Sequence, residues 1–285
     1  MVTLFDSNDS FAYPLPAISV DTSKAKILMD YVNKTRNPAA NIHKSEAVFD
    51  PTAPVVASVS SRGPSLITGD ILKPDLSAPG VEILAAWSMN ASISDYEGDN
   101  RSANYNIISG TSSSCPHVTA VAAYVKSFHP NWSPAAIMSA LITTASPMNP
   151  SYHPDAELAY GAGQANPIKA RSPGLVYDAG ASDYVRMLCN QGYITTIGLI
   201  TGDNSTCPKD SNGSPRDLIT LQSLSLIDSG STLQVTVNPN VLSFTKLYQK
   251  QKFVVTVSGP PLSYYSNPSA SIIWSDGKHD MRMDE

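Results

Sequence analysis

The chain is poor in charged residues, which make up 15% of its 285 residues and give a formal net charge of −5. Because the charge balance is slightly acidic and Lys and Arg do not cluster, the sequence does not predict a nucleic-acid partner. It also lacks any run near the ~20 apolar residues that a membrane-spanning helix needs. A membrane partner is therefore not predicted either. The length allows two domains, or one large domain, with an ample core.

The first six residues, Met-Val-Thr-Leu-Phe-Asp, contain neither the basic segment nor the apolar segment of a signal peptide. We therefore expect no signal peptide in this chain. Weak support for a secreted protein comes from Asn-x-Ser/Thr tripeptides, which accept glycans but also arise by chance in a Ser/Thr-rich chain. These tripeptides begin at Asn8, Asn33, Asn90, Asn100, Asn131, Asn204 and Asn212.

Cysteine is scarce, with three residues that allow three different single pairings and leave one thiol over. Cys189 and Cys207 flank a loop rich in Gly, Thr and Asn, so this pair looks like a local disulfide. Cys115 is expected to be a buried, inert apolar residue rather than a nucleophile. Neither a Cys-x-x-Cys motif nor a His/Cys spacing typical of a metal site occurs, and no cofactor is predicted.

The residues that indicate chemistry lie at 110–117, which read Gly-Thr-Ser-Ser-Ser-Cys-Pro-His. After them, Val118, Val121 and Val125 recur at helical spacing, which predicts a buried helix to about residue 128. Pro116 is expected within the first turn of this helix, where its missing N–H would have no intrahelical acceptor. The glycine at position 110 lets the backbone turn sharply into the helix.

Such a turn presents the hydroxyl of Ser112 at the positive end of a helix, beside backbone N–H groups that stabilise a developing negative charge. Ser112 is therefore the candidate nucleophile, and Gly110, Thr111 and Ser112 are the candidate oxyanion loop. The alternative interpretation is structural, because serine and threonine are common helix caps.

Residues 110–118 resemble the Gly-Thr-Ser-Met-x-x-Pro-His segment around the nucleophile of subtilases, and their sequence is similar to that of the plant, cucumisin-like branch. The sequence departs from that pattern at Ser113, where Met is usual, and at Ala120, where Gly is usual. Three more subtilase-like stretches accompany it: Ser-Ser-Arg-Gly-Pro at 60–64, Lys-Pro-Asp-Leu-Ser-Ala-Pro-Gly-Val-Glu-Ile-Leu-Ala-Ala-Trp at 73–87, and Trp-Ser-Pro-Ala-Ala-Ile at 132–137.

Residues 45–170 alternate between strand and helix patterns, which predicts an α/β domain with a parallel sheet. Strands are predicted at 55–60 and 81–86, and a helix at 134–145 that Ser133 caps. The resemblance implies that this region is the C-terminal half of a subtilisin-like peptidase domain. It also implies that residues 1–44, with an amphipathic helix at about 23–33, are the tail of the inserted protease-associated domain.

Residues 171–285 begin with a predicted helix near 181–189 and continue with alternating strands at 233–237, 242–244, 252–257 and 270–274. They resemble a fibronectin-III-like β-sandwich that is shortened, since strands expected after residue 218 are missing. Residues 280–285 depart from the family pattern. The predicted core of this sandwich consists of Val235, Val237, Phe244, Val254 and Trp274, with one edge left unpaired.

A serine nucleophile needs a base to take its proton and a carboxylate to orient that base. In subtilases both precede the serine, in Asp-Thr/Ser-Gly and His-Gly-Thr-His contexts, and neither context occurs here. Asp21 is followed by Thr and Ser and lacks the glycine. His117 belongs to the serine segment, where the family uses it structurally. The other histidines lie in predicted loops or at the end of the chain: His43, His129, His153 and His279.

The resemblance therefore implies a secreted serine endopeptidase of the apoplast or cell wall that acts on proteins or peptides through a Ser112 acyl-enzyme. It is present here as a partial chain that begins downstream of its targeting signal and is expected to be nearly inactive alone. The alternative is a non-catalytic, subtilase-derived fragment that acts only as an interaction protein. Either way, we expect an exposed apolar face near Ser112 through which the chain could associate.

Overall fold

The computed structural model describes residues 12–44, 46, 49–68, 71–94, 96–209, 234–259 and 271–284. The helices in these residues are α1 (Thr22–Lys34), α2 (Thr111–Phe128), α3 (Pro134–Thr143), α4 (Glu157–Tyr160), α5 (Pro167–Ala170), α6 (Ala181–Asn190) and α7 (Ile197–Thr201). The strands are β1 (Ile83–Ala86), β2 (Tyr105–Ile108), β3 (Gln234–Asn238), β4 (Val254–Ser258), β5 (Ser271–Ser275) and β6 (Asp280–Asp284). Among these described helices, none is long and apolar enough to cross a membrane.

Helix α3 lies at the centre of the packed region. It begins as predicted, because the Ser133 hydroxyl accepts a hydrogen bond from the Ala136 N–H at 3.0 Å and Pro134 occupies the first turn. Ala140 and Leu141 pack with Val125 of α2 and with Ala170 at the end of α5. Further half-buried side chains complete this core: Leu76, Val118, Val121, Ala122, Trp132, Ile137 and Val176.

Helix α2 is less buried than its sequence predicts. Only Ser113 and Val125 are buried in its 18 residues, whereas Ala120 and Ala123 are exposed. Its apolar side packs on α3, but the small residues opposite contact no covering layer in the described chain. The prediction of a buried helix is wrong for this reason, although its bounds are confirmed.

The peptidase-like region contains helices and strands as predicted, but the strands that the structure describes there pair antiparallel. Strands β1 and β2 form a two-stranded ribbon in which Leu84 lies opposite Ile107. The strand predicted at 55–60 is wrong, because these residues form turns and irregular structure with no strand partner in the described residues. One parallel bridge joins Ser77 to Gln164. Parallel strands need neighbours brought in by long crossovers, so a strand pattern without such a neighbour stays irregular.

The C-terminal strands form two antiparallel pairs, β3 with β4 and β5 with β6. The core predicted around Val254 is shifted by one residue. Val254 is 62% exposed, whereas the neighbouring Phe253 ring packs against Trp274 with ring centres 5.1 Å apart. Successive side chains of a strand point to opposite faces, so a one-residue error exchanges the inner and outer sets. Phe244, also predicted in the core, is 40% exposed and lies outside any strand.

The end of the chain also differs from its prediction. Residues 280–284, whose sequence departs from the family pattern, form β6 and pair with β5. Met281 on this strand is 3% exposed, so the strand contributes to the core. The stretch from residue 219 to residue 233, where strands of the family pattern are expected to be missing, lies outside the described residues.

Two neighbouring residues connect the C-terminal strands to α3. Tyr177 donates its backbone N–H to the Ser139 hydroxyl at 2.9 Å, and its ring faces Phe253. The carboxylate of Asp178 accepts hydrogen bonds from the Ser133 hydroxyl at 2.5 Å and from the Lys250 ammonium at 3.2 Å. The cap of α3 is therefore also part of the contact with the C-terminal strands.

Candidate active site

Ser112 occupies the second position of α2 and is exposed. Gly110 precedes the helix and provides no side-chain cap, so no side chain shields the N–H groups of the first turn. The Ser113 N–H donates to the Gly110 carbonyl at 3.0 Å. This geometry leaves the Ser112 hydroxyl open to solvent at the positive end of an 18-residue helix.

A strap at residues 78–82 holds the stretch around Ser112. The Gly110 N–H donates to the Gly80 carbonyl at 2.8 Å, and the Ser114 hydroxyl donates to the Ala78 carbonyl at 3.0 Å. On the strand side, the Glu82 N–H donates to the Ser109 hydroxyl at 2.9 Å. These bonds fix the backbone on both sides of Ser112, which limits how far the nucleophile can move.

The close approach of this strap requires glycine at position 80. A Cβ atom on Gly80 would lie 2.1 Å from the Ser114 hydroxyl oxygen and 3.0 Å from the Gly110 carbonyl oxygen. Since the former distance is well below a van der Waals contact, a larger residue would push the strap away from α2. The signal for this role was available, because Gly80 lies in the subtilase-like stretch at 73–87.

Pro116 lies at the sixth position of α2, beyond the first turn in which the sequence places it. Lacking an N–H, it cannot donate the hydrogen bond that the Ser112 carbonyl oxygen would accept inside a regular helix. The backbone beside the nucleophile is thus less constrained by helical bonding than in a regular helix. This loosening makes the strap at 78–82 more important for holding Ser112.

His117 does not act on Ser112 in this arrangement. Its Nδ1 atom donates to the Ser113 carbonyl at 2.9 Å, one turn back along the same helix. Five residues separate His117 from Ser112, which places the two side chains about 140° apart around the helix axis. The imidazole therefore braces the first turns of α2, in keeping with the structural role that the resemblance implies.

Cys115 is exposed, so its prediction as a buried apolar residue is wrong. The buried side of α2 is defined by Val118, Val121 and Val125, and position 115 lies off that side, toward Ser112. The other two cysteines, Cys189 and Cys207, form a disulfide with Cα atoms 5.6 Å apart. This bridge encloses α7 and is remote in sequence from the serine.

A second set of contacts, not foreseen from the sequence, holds the Ser-Ser-Arg-Gly-Pro stretch. The Nε2 atom of buried His153 accepts from the Val56 N–H at 3.0 Å, and Arg62 pairs with Asp155 at 2.9 Å. The Gly63 N–H donates to the carbonyl of Leu158 at 2.9 Å. Isolated loop histidines give no sequence signal of such a role. Within the described residues, no three His, Cys, Asp or Glu side chains could together hold a metal ion.

The geometry can be compared with that of known proteins. Residues 17–166 match the model of the subtilase family, and residues 225–284 match a fibronectin type-III domain. The second match includes residues 280–284, in agreement with strand β6. These two matches account for most of the described chain.

Curated relatives come from Arabidopsis thaliana. Subtilisin-like protease SBT4.3 is 42% identical over 305 residues, which cover 96% of this chain and 42% of the relative. Subtilisin-like protease SBT4.6 is 45% identical over 309 residues, covering 97% and 41%, and SBT4.10 is 47% identical over 281 residues, covering 86% and 40%. The chain thus spans about two fifths of the length of the relatives it matches.

Proposed function

Because the chain belongs to the subtilase family, we propose that it provides the nucleophile of a serine-type endopeptidase that cleaves protein or peptide substrates. The observation that supports this proposal is the exposed hydroxyl of Ser112 at the uncapped N-terminus of α2, held by the strap at 78–82. A role as helix cap does not account for Ser112, because Gly110 occupies the N-cap position.

In the proposed reaction the Ser112 oxygen attacks the carbonyl carbon of the scissile peptide bond while a base removes the hydroxyl proton. The backbone N–H groups at Thr111 and Ser112 stabilise the oxyanion of the tetrahedral intermediate. The base then protonates the departing amine, which leaves an acyl-enzyme on Ser112. Water, deprotonated by the same base, attacks that ester, and the carboxylic acid product leaves with the serine regenerated.

The base is the component that the described residues do not provide. Within them, no histidine or carboxylate side chain forms a hydrogen bond to Ser112, and His117 is bonded elsewhere. Loss of the base from a subtilisin-type triad lowers kcat by about 10⁶. We therefore propose that the base and its orienting carboxylate come from the part of a subtilase domain outside the matched two fifths, and that the chain alone turns over no substrate.

The same proposal includes the domain division at 1–44, 45–170 and 171–285, with the first region as the tail of a protease-associated domain. It also includes an extracellular location in the apoplast or cell wall, as the likeness to plant subtilases suggests.

The absence of a base beside Ser112 in the described residues favours a second candidate function. In that case the chain is a non-catalytic, subtilase-derived interaction protein.

Labelling with a fluorophosphonate distinguishes the two functions. The chain alone should remain unlabelled, and co-expression with the remaining part of a relative such as SBT4.6 should yield stoichiometric labelling. That labelling should be lost in Ser112→Ala and kept in Ser113→Ala. If Ser112 stays unlabelled in a complex shown to have formed, the endopeptidase proposal fails and the interaction protein remains.

A further inference from the structure

The loop that joins β3 to β4 presents apolar side chains to solvent. It spans residues 239–253 and begins and ends at one end of the strand pair, where Asn238 lies opposite Val254. Val241 is 70% exposed on this loop, and the adjacent Leu247 and Tyr248 are 86% and 89% exposed. We call these last two residues the loop tip. Neighbouring apolar side chains that are this exposed indicate a surface that contacts another molecule.

Two glutamines hold the loop in one conformation. The Gln249 Oε1 atom accepts hydrogen bonds from the Thr245 N–H at 2.8 Å and from the Thr245 hydroxyl at 3.2 Å, which closes a turn around the loop tip. The Gln251 Nε2 atom donates to the carbonyl oxygen of Ser243 at 2.8 Å. The loop tip therefore projects from an ordered turn.

Tyr248 adopts a backbone conformation that is unusual for its residue type. Its φ of 60° lies in the left-handed region, where a residue with a bulky side chain is strained and glycine is not. Because the ring is so exposed, packing within the described chain does little to offset that strain. A strained aromatic residue that is displayed to solvent favours a role in binding.

The loop also carries a local excess of positive charge. Residues 234–258 contain three lysines, at positions 246, 250 and 252, and no Asp or Glu, although the whole chain has a net charge of −5. All three lysines are exposed. Among the described residues, Lys250 pairs with Asp178 at 3.2 Å, whereas Lys246 and Lys252 have no ion-pair partner. Two uncompensated cations therefore flank the loop tip in sequence.

We propose that this loop docks the chain on an anionic lipid surface, with the loop tip in the interfacial region and the lysines facing the headgroups. Tyrosine suits that region because its ring is apolar and its hydroxyl remains in contact with water. Each lysine near such a surface contributes about 1 kcal/mol of attraction. Binding of this kind lies on the membrane and needs no spanning helix.

Other partners fit the loop less well. A stable protein interface buries about 1,200–2,000 Å² in total, and a projecting tip of a few side chains does not provide that area. An acidic polysaccharide would pair with the lysines but would leave the exposure of Leu247 and Val241 unexplained. A lipid surface satisfies both features, since it can close around a projecting apolar tip and attracts cations.

The test measures binding of the 285-residue chain to vesicles by co-sedimentation. One set contains phosphatidylcholine alone, and the other contains phosphatidylcholine and phosphatidylserine in about a 3:1 ratio. We expect binding to the second set only, and Leu247→Ser should weaken it at least about tenfold because an apolar contact with the lipid is lost. Leu199→Ser is the matched control, since Leu199 is 85% exposed on α7, and it should leave binding unchanged.

Tyr248→Gly separates binding from folding. It removes the ring and should weaken vesicle binding, yet glycine adopts a φ of 60° without strain, so the urea midpoint should stay the same or rise. A merely structural role for the tyrosine would lower the urea midpoint instead. Because both tip residues are exposed, a variant at either position tests the proposal by itself.

Charge reversal tests the lysines. Lys246→Glu with Lys252→Glu should weaken binding at least about 30-fold. Lys26→Glu with Lys44→Glu makes the same change in net charge at exposed positions near α1 and should have little effect. Equal binding to both vesicle sets, no binding to either, or equal weakening by the control variants overturns the proposal. Equally tight binding to soluble polygalacturonate that Leu247→Ser does not change would overturn it in favour of an acidic polysaccharide.

Discussion

Helices α2 and α3 pack against each other, yet they differ in how far they are buried. Seven of the ten residues of α3 are buried, against two of the 18 residues of α2. Both sequences consist mainly of small and apolar residues. Such a sequence pattern indicates that another element could pack closely against the helix. Whether the helix is actually buried depends on whether that element is present.

The largest expected contrast is between alanines on the two helices. Ala140 on α3 is fully buried, so Ala140→Glu places an unpaired carboxylate in the core and should cost several kcal/mol or prevent folding. Ala123→Glu introduces the same charge on the exposed side of α2 and should change the free energy of unfolding by no more than about 0.5 kcal/mol. Urea denaturation of both variants measures the difference. Equal losses of unfolding free energy in the two variants would show that the side of α2 around Ala123 is covered in solution.

A second contrast concerns the strap beside Ser112. Gly80→Ala should destabilise the chain by about 1–3 kcal/mol, because the new Cβ meets the Ser114 hydroxyl oxygen at 2.1 Å. Ser114→Ala in the same chain removes that oxygen and should recover part of the loss, which a double-mutant cycle quantifies. Gly180→Ala is the matched control, since the nearest atom to its added Cβ is 3.9 Å away. If the double-mutant cycle shows that positions 80 and 114 are not coupled, the close contact between them is contradicted.

The features that could be predicted from the sequence are those that depend on local chemistry. Ser133 and Pro134 fixed the start of α3, and the glycine before Ser112 marked the start of α2, because caps and turns act over a few residues. Two of the features that were missed, the exposure of Cys115 and the one-residue shift at Val254, depend on partners distant in sequence. Periodicity locates a strand or helix well but assigns its inner face only when the packing neighbour is known.

The site shows the same division. The position of Ser112 followed from a short motif, and Gly80 lies in a recognisable stretch, whereas the hydrogen bonds of the strap and of His153 required the three-dimensional structure. His153 lies 97 residues from Val56, whose N–H it accepts, and no local pattern encodes such a distance. The contacts that position a functional residue are thus harder to predict than the residue itself.

The smallest expected effect concerns pH at the cap of the buried helix. The hydrogen bond from the Ser133 hydroxyl holds the pKa of Asp178 below its usual value, with a further contribution from Lys250 and against a burial effect that raises it. A carboxyl whose pKa is lowered by folding stabilises the protein above its unfolded pKa, near 3.9, and loses that contribution as the pH falls further. Asp178→Asn should therefore be less stable than the wild-type chain at pH 7, and the difference should shrink below about pH 4.

Urea midpoints of both chains at pH 7, 5 and 3.5 measure this difference, in which the effects of all other carboxyl groups cancel. Because Asp178 is largely solvent-accessible, the effect should be modest. In a Ser133→Ala background the pH-dependent part should become smaller still, since the hydroxyl is the main cause of the shift. If the stability difference between the two chains instead grows as the pH falls, the Asp178 carboxylate does not stabilise the cap of α3. The helix would then be stabilised by burial alone.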